Sequence, residues 1–154
     1  MSSAALPINR HFRARCTISW SKGNPAAIVT PVLESPTLNG KPFRVSERAD
    51  LREAVISVGL SKTGVTIAAG LPLLQEMVHR ARKCRLMGSA ALDMAYVACG
   101  RFDAYIEQGI SLWDIAAGWI LVETAGGTVE LKPRTDMKDK YSIIASNGVI
   151  DLKL

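Results

Sequence analysis

The chain has 154 residues, 48% of them hydrophobic, and a formal net charge of +5. This length and mixed composition predict one soluble globular domain with its own core. No apolar run approaches the roughly 20 residues that cross a bilayer, so no membrane partner is expected. The three cysteines are an odd number without close pairing, which argues against a disulfide framework and favours a reducing, cytoplasmic location.

Basic residues are spread along most of the chain and gather in only two places. These clusters are Arg10, Arg13 and Arg15, and Arg80, Arg82, Lys83 and Arg85. The sequence has no basic stripe interleaved with aromatic residues, which would be typical of nucleic-acid binding. The diffuse positive charge by itself suits an anionic substrate as well as it suits nucleic acid, and the missing stripe makes nucleic acid the less favoured partner.

The N-terminal part of the chain is predicted to form short antiparallel strands. Residues 15–20 and 26–32 are rich in strand-forming side chains, and a Ser-Lys-Gly-Asn-Pro turn separates them. They are therefore predicted to form a hairpin. A second turn at residues 38–41 leads into a short predicted strand at 42–45.

From residue 54 onward, predicted strands and helices alternate. A buried strand at 54–58 is followed by a helix with Pro72 in its first turn, and Ser89 and Gly100 bound the next helix. The other predicted elements are strands at 84–87, 102–107, 128–131 and 142–145 and a helix at 114–124. This order predicts an α/β fold, a layered sandwich with a mixed sheet, flanking helices and N-terminal antiparallel hairpin strands.

Small residues separate one predicted strand from the helix after it. The turn formed by Gly88, Ser89 and Ala90 suits the close approach of an oxyanion or a sugar hydroxyl to backbone N–H groups. On residue types alone, a plain turn with a serine cap is the favoured interpretation. Arg85, at the end of the preceding strand, is placed to reach an anionic ligand with its forked donors, or to be an exposed cation.

Two carboxylates stand at the ends of predicted elements. Glu107 is predicted to close a strand, with Tyr105 on the same side, and Asp114 lies at the start of an apolar helix. A carboxylate at a helix start can hold a cation or meet a polar ligand, but it can also serve helix stability alone. Asp93 is interpreted as an ordinary carboxylate in the first turn of its helix.

Several motifs together resemble the inositol monophosphatase family, which shares a superfamily with fructose-1,6-bisphosphatase. The run GSAALDMAYVACGRFDAY at 88–105, the following Glu107 and LWDIAAG at 112–118 carry the resemblance most specifically. LNGKP at 38–42, RVS at 44–46, TAGG at 124–127 and ASN at 145–147 add to it. The similarity covers roughly residues 10–150 and is strongest from 85 to 127.

The resemblance implies a Mg²⁺-dependent phosphatase that hydrolyses a phosphorylated polyol or sugar with a metal-activated water. It implies that Asp114 is the metal-binding aspartate of the C-terminal half and that Glu107 binds substrate hydroxyls. Gly88, Ser89, Ala90 and Asp114 are expected to line the substrate site, and Arg85 to lie on its substrate side or dimer side. A homodimer or an association with another chain is expected.

The sequence departs from the family pattern at its N-terminal side. Family members carry a metal-binding glutamate and an Asp-Pro-Ile/Leu-Asp-Gly-Thr motif there, whereas Glu34 is the single carboxylate among the first 46 residues. The interpretation is one truncated domain over residues 1–154. Residues 10–50 are a remnant of the N-terminal antiparallel sheet, residues 51–150 are the C-terminal α/β half, and the N-terminal metal-binding half is absent.

Three functions follow from this departure. The first is a phosphatase of the family, and the second is a degenerate, non-catalytic member that binds a sugar phosphate or a protein. The third, ranked last, is a basic module that acts on RNA or the transcription machinery.

Overall fold

The computed structural model describes residues 15–16, 31–32, 36–60 and 64–154, the first two pairs by their backbone alone. The strands are β1 (Arg15–Cys16), β2 (Pro31–Val32), β3 (Thr37–Leu38), β4 (Lys41–Pro42), β5 (Val55–Gly59), β6 (Lys83–Arg85), β7 (Ala104–Ile110), β8 (Thr128–Pro133) and β9 (Tyr141–Ser146). The α-helices are α1 (Gly64–Arg80), α2 (Ala90–Ala98) and α3 (Leu112–Thr124), and a 3₁₀ turn covers Leu51–Glu53.

The main sheet has five strands in the order β6-β5-β7-β9-β8. β6 and β7 run parallel to β5, whereas β9 is antiparallel to β7 and β8 is antiparallel to β9. Two small antiparallel pairs, β1 with β2 and β3 with β4, lie N-terminal to this sheet in the chain. The mixed sheet and the antiparallel N-terminal pairs confirm the predicted α/β class.

Helices cover both faces of the sheet, and each face has its own core. Ile56 and Ile106 contribute to the cluster that contains Met77 of α1. Tyr105 and Ile143 contribute to the opposite cluster, with side chains from α2 and α3. Successive side chains of a strand point to opposite faces, so β5 and β7, which are buried on both faces, are largely apolar on both. The result is a layered arrangement of α1, sheet, and the α2–α3 pair.

Helices α2 and α3 approach closely because Gly118 has no side chain. A Cβ at this position would lie 2.7 Å from the Cβ of Met94 on α2. The opposite side of α3 is apolar but exposed, and Trp113 there is 77% accessible to solvent. Leu112 and Ile120 are exposed on α3 as well. A helix that is apolar all round is usually covered on both sides, so this face is suited to contact with another surface.

The first helix begins earlier than the sequence pattern indicated. It starts at Gly64, so Pro72 lies inside α1 rather than in its first turn. Proline cannot donate a hydrogen bond to the carbonyl of Ala68, one turn earlier. Both residues are exposed, so water can satisfy that carbonyl. The solvated position explains why the helix continues through a residue that normally begins or breaks one.

Several predicted strand and helix bounds were also wrong. β7 continues to Ile110 and does not end at Glu107, because β9 pairs with it as far as Ile110 and Tyr141. β6 is Lys83–Arg85 rather than 84–87, and β4 covers Pro42 but not 43–45. α3 begins at Leu112 rather than at residue 114, and β8 and β9 are slightly longer than predicted.

The predicted N-terminal hairpin is described only in part. The pairing of Arg15 with Val32 and of Cys16 with Pro31 agrees with it, and residues 17–30 lie outside the described residues. In the part of the chain that the structure describes, no helix is long and apolar enough to cross a bilayer.

Candidate functional site

A cavity of about 380 Å³ opens where parallel strands β5 and β6 end and helices α2 and α3 begin. Its lining residues are Gly59, Leu60, Gly88, Ser89, Ala90, Ala91, Asp93, Glu107, Ile110 and Asp114. All the substrate-side residues predicted from the sequence, except Arg85, therefore lie around one cavity. The structure brings together residues that are up to 55 positions apart in the chain, from Gly59 to Asp114.

The strand order explains why a cavity forms at this place. The chain leaves β5 and passes through α1 to β6, on one side of β5. β7 lies on the other side of β5, and from it the chain passes through α3 to β8, beyond β9. The connections that follow β5 and β7 thus run in opposite directions. A crevice at the carboxyl ends of strands, where the connections diverge, is the common ligand position in open α/β sheets.

Glu107 is held by the side chain two residues before it in β7. Side chains at positions i and i+2 share a strand face, and the hydroxyl of Tyr105 donates a hydrogen bond to Oε2 of Glu107. Glu107 is only 7% exposed. Burial raises its pKa and the nearby Asp114 charge raises it further, while the Tyr105 hydrogen bond and Lys140 act in the opposite direction.

Glu107 fits against the sheet because the facing residue in β5 is glycine. Gly59 pairs with Glu107 in the parallel register. A Cβ on Gly59 would lie 2.0 Å from Oε2 of Glu107 and 2.6 Å from its Cδ. Any side chain at position 59 would therefore displace this carboxylate. Glu107 can occupy its position only because residue 59 is glycine.

Asp93 is a buried carboxylate on the same cavity, in the first turn of α2. It is 1% exposed, and the hydroxyl of Ser57 in β5 donates a hydrogen bond of 2.7 Å to its Oδ1. Burial raises the pKa of Asp93, the Ser57 hydrogen bond lowers it, and the charge of Glu107 raises it. The two carboxylates are therefore close enough to influence each other.

The turn before α2 presents backbone to the cavity. Gly88 has a φ of 73°, a left-handed conformation that favours glycine. The hydroxyl of Ser89 accepts a hydrogen bond from the N–H of Leu92 and so caps the helix, as the sequence predicted. Ser89 thus serves as a helix cap at the same time as it lines the cavity with Gly88 and Ala90.

Asp114 lies in the first turn of α3 and is exposed. No described residue donates a hydrogen bond to its carboxylate, and its charge contributes to the raised pKa of Glu107. This leaves Asp114 as the carboxylate of the cavity that is most accessible to a cation. Helix N-termini carry partial positive charge, which stabilises the carboxylate at this position.

Arg85 is not among the residues that line the cavity. It ends β6, is exposed, and donates from Nη1 to the backbone carbonyl of Cys84 at 3.0 Å. Its position in this structure is outside the cavity.

The described residues do not form a complete metal site. Across residues 36–60 and 64–154, no group of three or more His, Cys, Asp or Glu side chains lies close enough together to hold a metal ion. Mg²⁺ requires about six oxygen ligands, several of them often water. Among the carboxylates of the cavity, Asp93 and Glu107 each already accept one hydrogen bond.

Asp93 was missed as a cavity residue by sequence reasoning, which assigned it only to the first turn of a helix. One signal was present in the sequence. Asp93 stands between Leu92 and Met94 in an otherwise apolar helix, and Ser57 stands alone in an apolar strand. Two isolated polar residues on buried elements have to find partners, because an unpaired buried polar group is costly.

We expect the free energy of unfolding of Asp93→Asn to increase, relative to that of the wild type, as the pH rises. Since burial raises the pKa of Asp93 above its ordinary 3.8, the folded state holds this proton more tightly than the unfolded state. The stability from that proton is present at low pH and is lost as the pH rises above about 4. The asparagine does not titrate but can still accept from Ser57.

Urea unfolding from about pH 4 to about pH 7 measures the difference in the free energy of unfolding between the wild type and Asp93→Asn. Asp139→Asn is the matched control, because Asp139 is exposed and has a left-handed backbone (φ 54°) that suits asparagine. A constant difference between wild type and Asp93→Asn across this range would contradict the prediction.

The chain is similar to a known family of proteins. Residues 28–152 match the model of the inositol monophosphatase family. A Nus factor SuhB of Xylella fastidiosa is 45% identical over 118 residues, which are 71% of this chain and 43% of the relative. An inositol-1-monophosphatase of Mesorhizobium japonicum is 40% identical over 119 residues, 76% of this chain and 45% of the relative.

Solved structures agree with the sequence relatives. An inositol monophosphatase from Anabaena superposes with a TM-score of 0.61 at 37% identity. The superposed part is 72% of this chain and 45% of the Anabaena chain. The matched part of the chain therefore covers less than half the length of these relatives. The family expected from the motifs is confirmed: the chain belongs to the inositol monophosphatase family.

Proposed function

We propose that this protein takes part in the Mg²⁺-dependent hydrolysis of a phosphate monoester, with an inositol phosphate or a sugar phosphate as substrate. The observation that carries the proposal is the cavity at the strand ends, which gathers Asp114, Glu107 and the Gly88–Ala90 turn. Relatives named inositol-1-monophosphatase, and one named fructose-1,6-bisphosphatase/inositol-1-monophosphatase, support the reaction class.

Each residue of the cavity has a proposed task. The oxygen of Glu107 that Tyr105 does not bind accepts a hydrogen bond from a substrate hydroxyl. The Gly88–Ala90 turn admits the substrate close to the backbone, at the start of α2, where N–H groups are available to an anion. Arg85 is proposed as a substrate-side or dimer-side cation.

Asp114 is proposed as both a Mg²⁺ ligand and a contact at the substrate site. A hard cation prefers an anionic oxygen such as this accessible carboxylate. One carboxylate with waters binds Mg²⁺ weakly, so the proposal requires further oxygen ligands from outside the described residues.

The proposed function is tested by phosphate release from inositol 1-phosphate, measured with the full chain in the presence and absence of Mg²⁺. Asp114→Asn keeps the size of the side chain but removes its charge. We expect this variant to lower Mg²⁺-dependent turnover by tenfold or more, which corresponds to about 1.4 kcal/mol of transition-state stabilisation. A raised Mg²⁺ requirement is expected at the same time.

Glu123→Gln is the matched control for Asp114→Asn, because Glu123 is an exposed carboxylate at the other end of the same helix. Robust turnover that Asp114→Asn leaves unchanged would reject the assignment of this residue. No turnover by the wild-type chain at any Mg²⁺ concentration would reject catalysis by the chain alone.

A second candidate is a non-catalytic member of the family that binds a sugar phosphate or another protein. Two observations favour it: the described residues lack a group of three metal-ligating side chains, and Leu112, Trp113 and Ile120 leave an apolar side of α3 exposed. Saturable binding of inositol 1-phosphate without turnover would support this function and exclude the first.

Three further assignments accompany the proposal. Residues 10–50 and 51–150 are proposed as parts of a single domain, and the protein is proposed to act in the cytoplasm. We also propose that it forms a homodimer or associates with another chain, since the exposed apolar side of α3 is suited to burial. Light scattering of the purified chain measures its association state.

A further inference from the structure

Strand β8 forms one edge of the main sheet. Among the described strands, β9 is the one that pairs with it, in an antiparallel register that joins Thr128 to Ser146 and Pro133 to Tyr141. An edge strand presents a row of backbone N–H and C=O groups that can pair with a further strand. The side of β8 that faces away from β9 is therefore a place where the sheet can be extended.

The hydrogen bonds of the hairpin indicate which residues of β8 direct their backbone groups outward. Just beyond the last pair of strands β8 and β9, the N–H of Arg134 donates to the carbonyl of Lys140 at 2.8 Å, in the same register. In an antiparallel pair, successive residues direct their hydrogen-bonding groups to alternate sides. The even-numbered residues of β8 therefore bond toward β9. The odd-numbered residues, which are Val129, Leu131 and Pro133, direct their backbone groups away from it.

The side chains of β8 differ between the two faces of the sheet. Val129 and Leu131 pack against the core cluster that includes side chains of α2 and α3. Glu130 and Lys132 are exposed on the other face, where both line a cavity of about 520 Å³. The exposed face of this edge thus carries one negative and one positive charge, two positions apart, with Leu131 between them.

This spacing makes the edge complementary to a second copy of itself. When two β8 strands run antiparallel with their Leu131 residues opposite each other, Glu130 of each copy lies opposite Lys132 of the partner subunit. The outward backbone groups of the odd-numbered residues also meet in this register. The smallest shifts that keep the odd-numbered residues paired place two copies of Glu130, or two copies of Lys132, opposite each other, which is unfavourable. The hydrogen bonds and the charges therefore favour the same register.

We propose that β8 is a self-association surface through which two copies of the chain join their sheets edge to edge, with the two-fold axis between the two Leu131 residues. The expected backbone hydrogen bonds are reciprocal ones between the Leu131 residues and one from the N–H of each Val129 to the carbonyl of Pro133 of the partner subunit. One short strand from each copy makes a small contact, so we expect a dimer that dissociates on dilution. The proposal does not depend on the proposed function, and it differs from association through the apolar side of α3.

Sedimentation velocity of the full chain over a range of concentrations measures this association. Glu130→Lys and Lys132→Glu each replace two opposite-charge pairs by two like-charge pairs. We expect each variant to weaken the dimer about tenfold or more. The double variant that carries both substitutions exchanges the charges and is expected to dimerise as the wild type does. A mixture of the two single variants is expected to form a heterodimer, because each chain then faces opposite charges.

Glu53→Lys is the matched control for Glu130→Lys, because it makes the same change of net charge. Glu53 is exposed and precedes β5, and β7 and β9 separate β5 from β8 in the sheet. This control is expected to dimerise as the wild type does. Circular dichroism checks that each variant is folded, as we expect for substitutions at exposed positions.

Hydrogen exchange gives a second readout that is specific to this edge. The N–H of Leu131 is directed away from β9 and is expected to be protected by pairing with the partner subunit. We therefore expect its exchange to slow as the protein concentration rises. Exchange that does not depend on concentration would contradict the proposal, even if a dimer forms.

Three sedimentation results would overturn the proposal. The first is a monomer at every concentration up to about 1 mM, which is expected if Lys132 and Pro133 serve only to block the edge. The second is a dimer that neither single variant weakens, as association through α3 would give. The third is weakened association in the single variants that neither the double variant nor the mixture restores.

Discussion

Replacing Asp103 with alanine is expected to lower the free energy of unfolding by about 3 kcal/mol. Asp103 is fully buried and joins three parts of the chain. It accepts hydrogen bonds from Ser46, from Nε of Arg48 at 3.0 and 3.1 Å, and from the N–H of Val55 at 2.7 Å. The alanine leaves these donors without an acceptor, although the partly exposed Arg48 can be hydrated again, which keeps the cost at the lower end of its range.

These hydrogen bonds are expected to stabilise the fold because through them Asp103 attaches the segment around Ser46 and Arg48 to the start of β5. The side chain of Asn147 reinforces it by donating to Oγ of Ser46 and to the carbonyl of Arg48 at 2.9 and 2.8 Å. Asp103→Asn keeps the shape and one acceptor, so it is expected to destabilise the protein less than Asp103→Ala.

Urea unfolding provides the measurement, with a lower midpoint and an unchanged slope as the expected result. Asp136→Ala is the matched control, because Asp136 also pairs with an arginine, Arg134, but is exposed. We expect the control to have little effect, as for most surface ion pairs. The prediction is wrong if Asp103→Ala is no less stable than Asp136→Ala.

Gly59→Ala is expected to damage stability and ligand binding together. The added methyl group would overlap with Glu107, whose Oε2, Cδ and Cβ lie 2.0, 2.6 and 2.9 Å from the Cβ position. Because Cβ is among these atoms, rotation of the carboxylate alone does not relieve the overlap. The expected loss of stability is about 1 to 3 kcal/mol, the usual cost of an overpacked interior.

The effect on binding follows from the same displacement. Glu107 would leave the Tyr105 hydroxyl and would no longer line the cavity in a fixed orientation. We therefore expect Gly59→Ala to bind inositol 1-phosphate more weakly than the wild type does, although the substitution changes no polar group. Amide shift titrations measure the binding, and thermal unfolding measures the stability.

Gly64→Ala is the matched control for Gly59→Ala. Gly64 begins α1, and among the described residues no atom outside its own helical turn and chain neighbours lies within 4 Å of a Cβ placed there. Alanine is the better helix former, so this variant is expected to be as stable as the wild type or more stable by up to about 1 kcal/mol. Wild-type binding and stability in Gly59→Ala would show that position 59 does not control Glu107.

Features of the fold that depend on neighbouring residues were predictable from the sequence. The cap of α2 by Ser89 was predicted correctly, because capping uses a hydrogen bond between residues three positions apart. The alternation of strands and helices from residue 54, and the family itself, were also predicted correctly. The start of α1 was not, since tolerance of Pro72 depends on its exposure in the folded protein.

Strand lengths depended on partners that are distant in the sequence. β7 extends beyond Glu107 because β9 continues to pair with it, and this pairing joins residues more than 30 positions apart. The residues next to Glu107 in the sequence do not indicate the pairing of β7 with β9. As a result, Glu107 is a buried residue within a central strand and not a carboxylate at an exposed strand end.

The sequence by itself determined the family, the alternating α/β order and most of the residues that line the cavity, because these depend on local spacing and on motifs. Only the tertiary structure decided that Asp93 joins them, that Gly59 makes room for Glu107, and that Arg85 lies outside. These outcomes depend on which elements pack together and how closely they approach. Burial and the hydrogen bonds from Ser57 and Tyr105 distinguish Asp93 and Glu107 from carboxylates that are merely solvated.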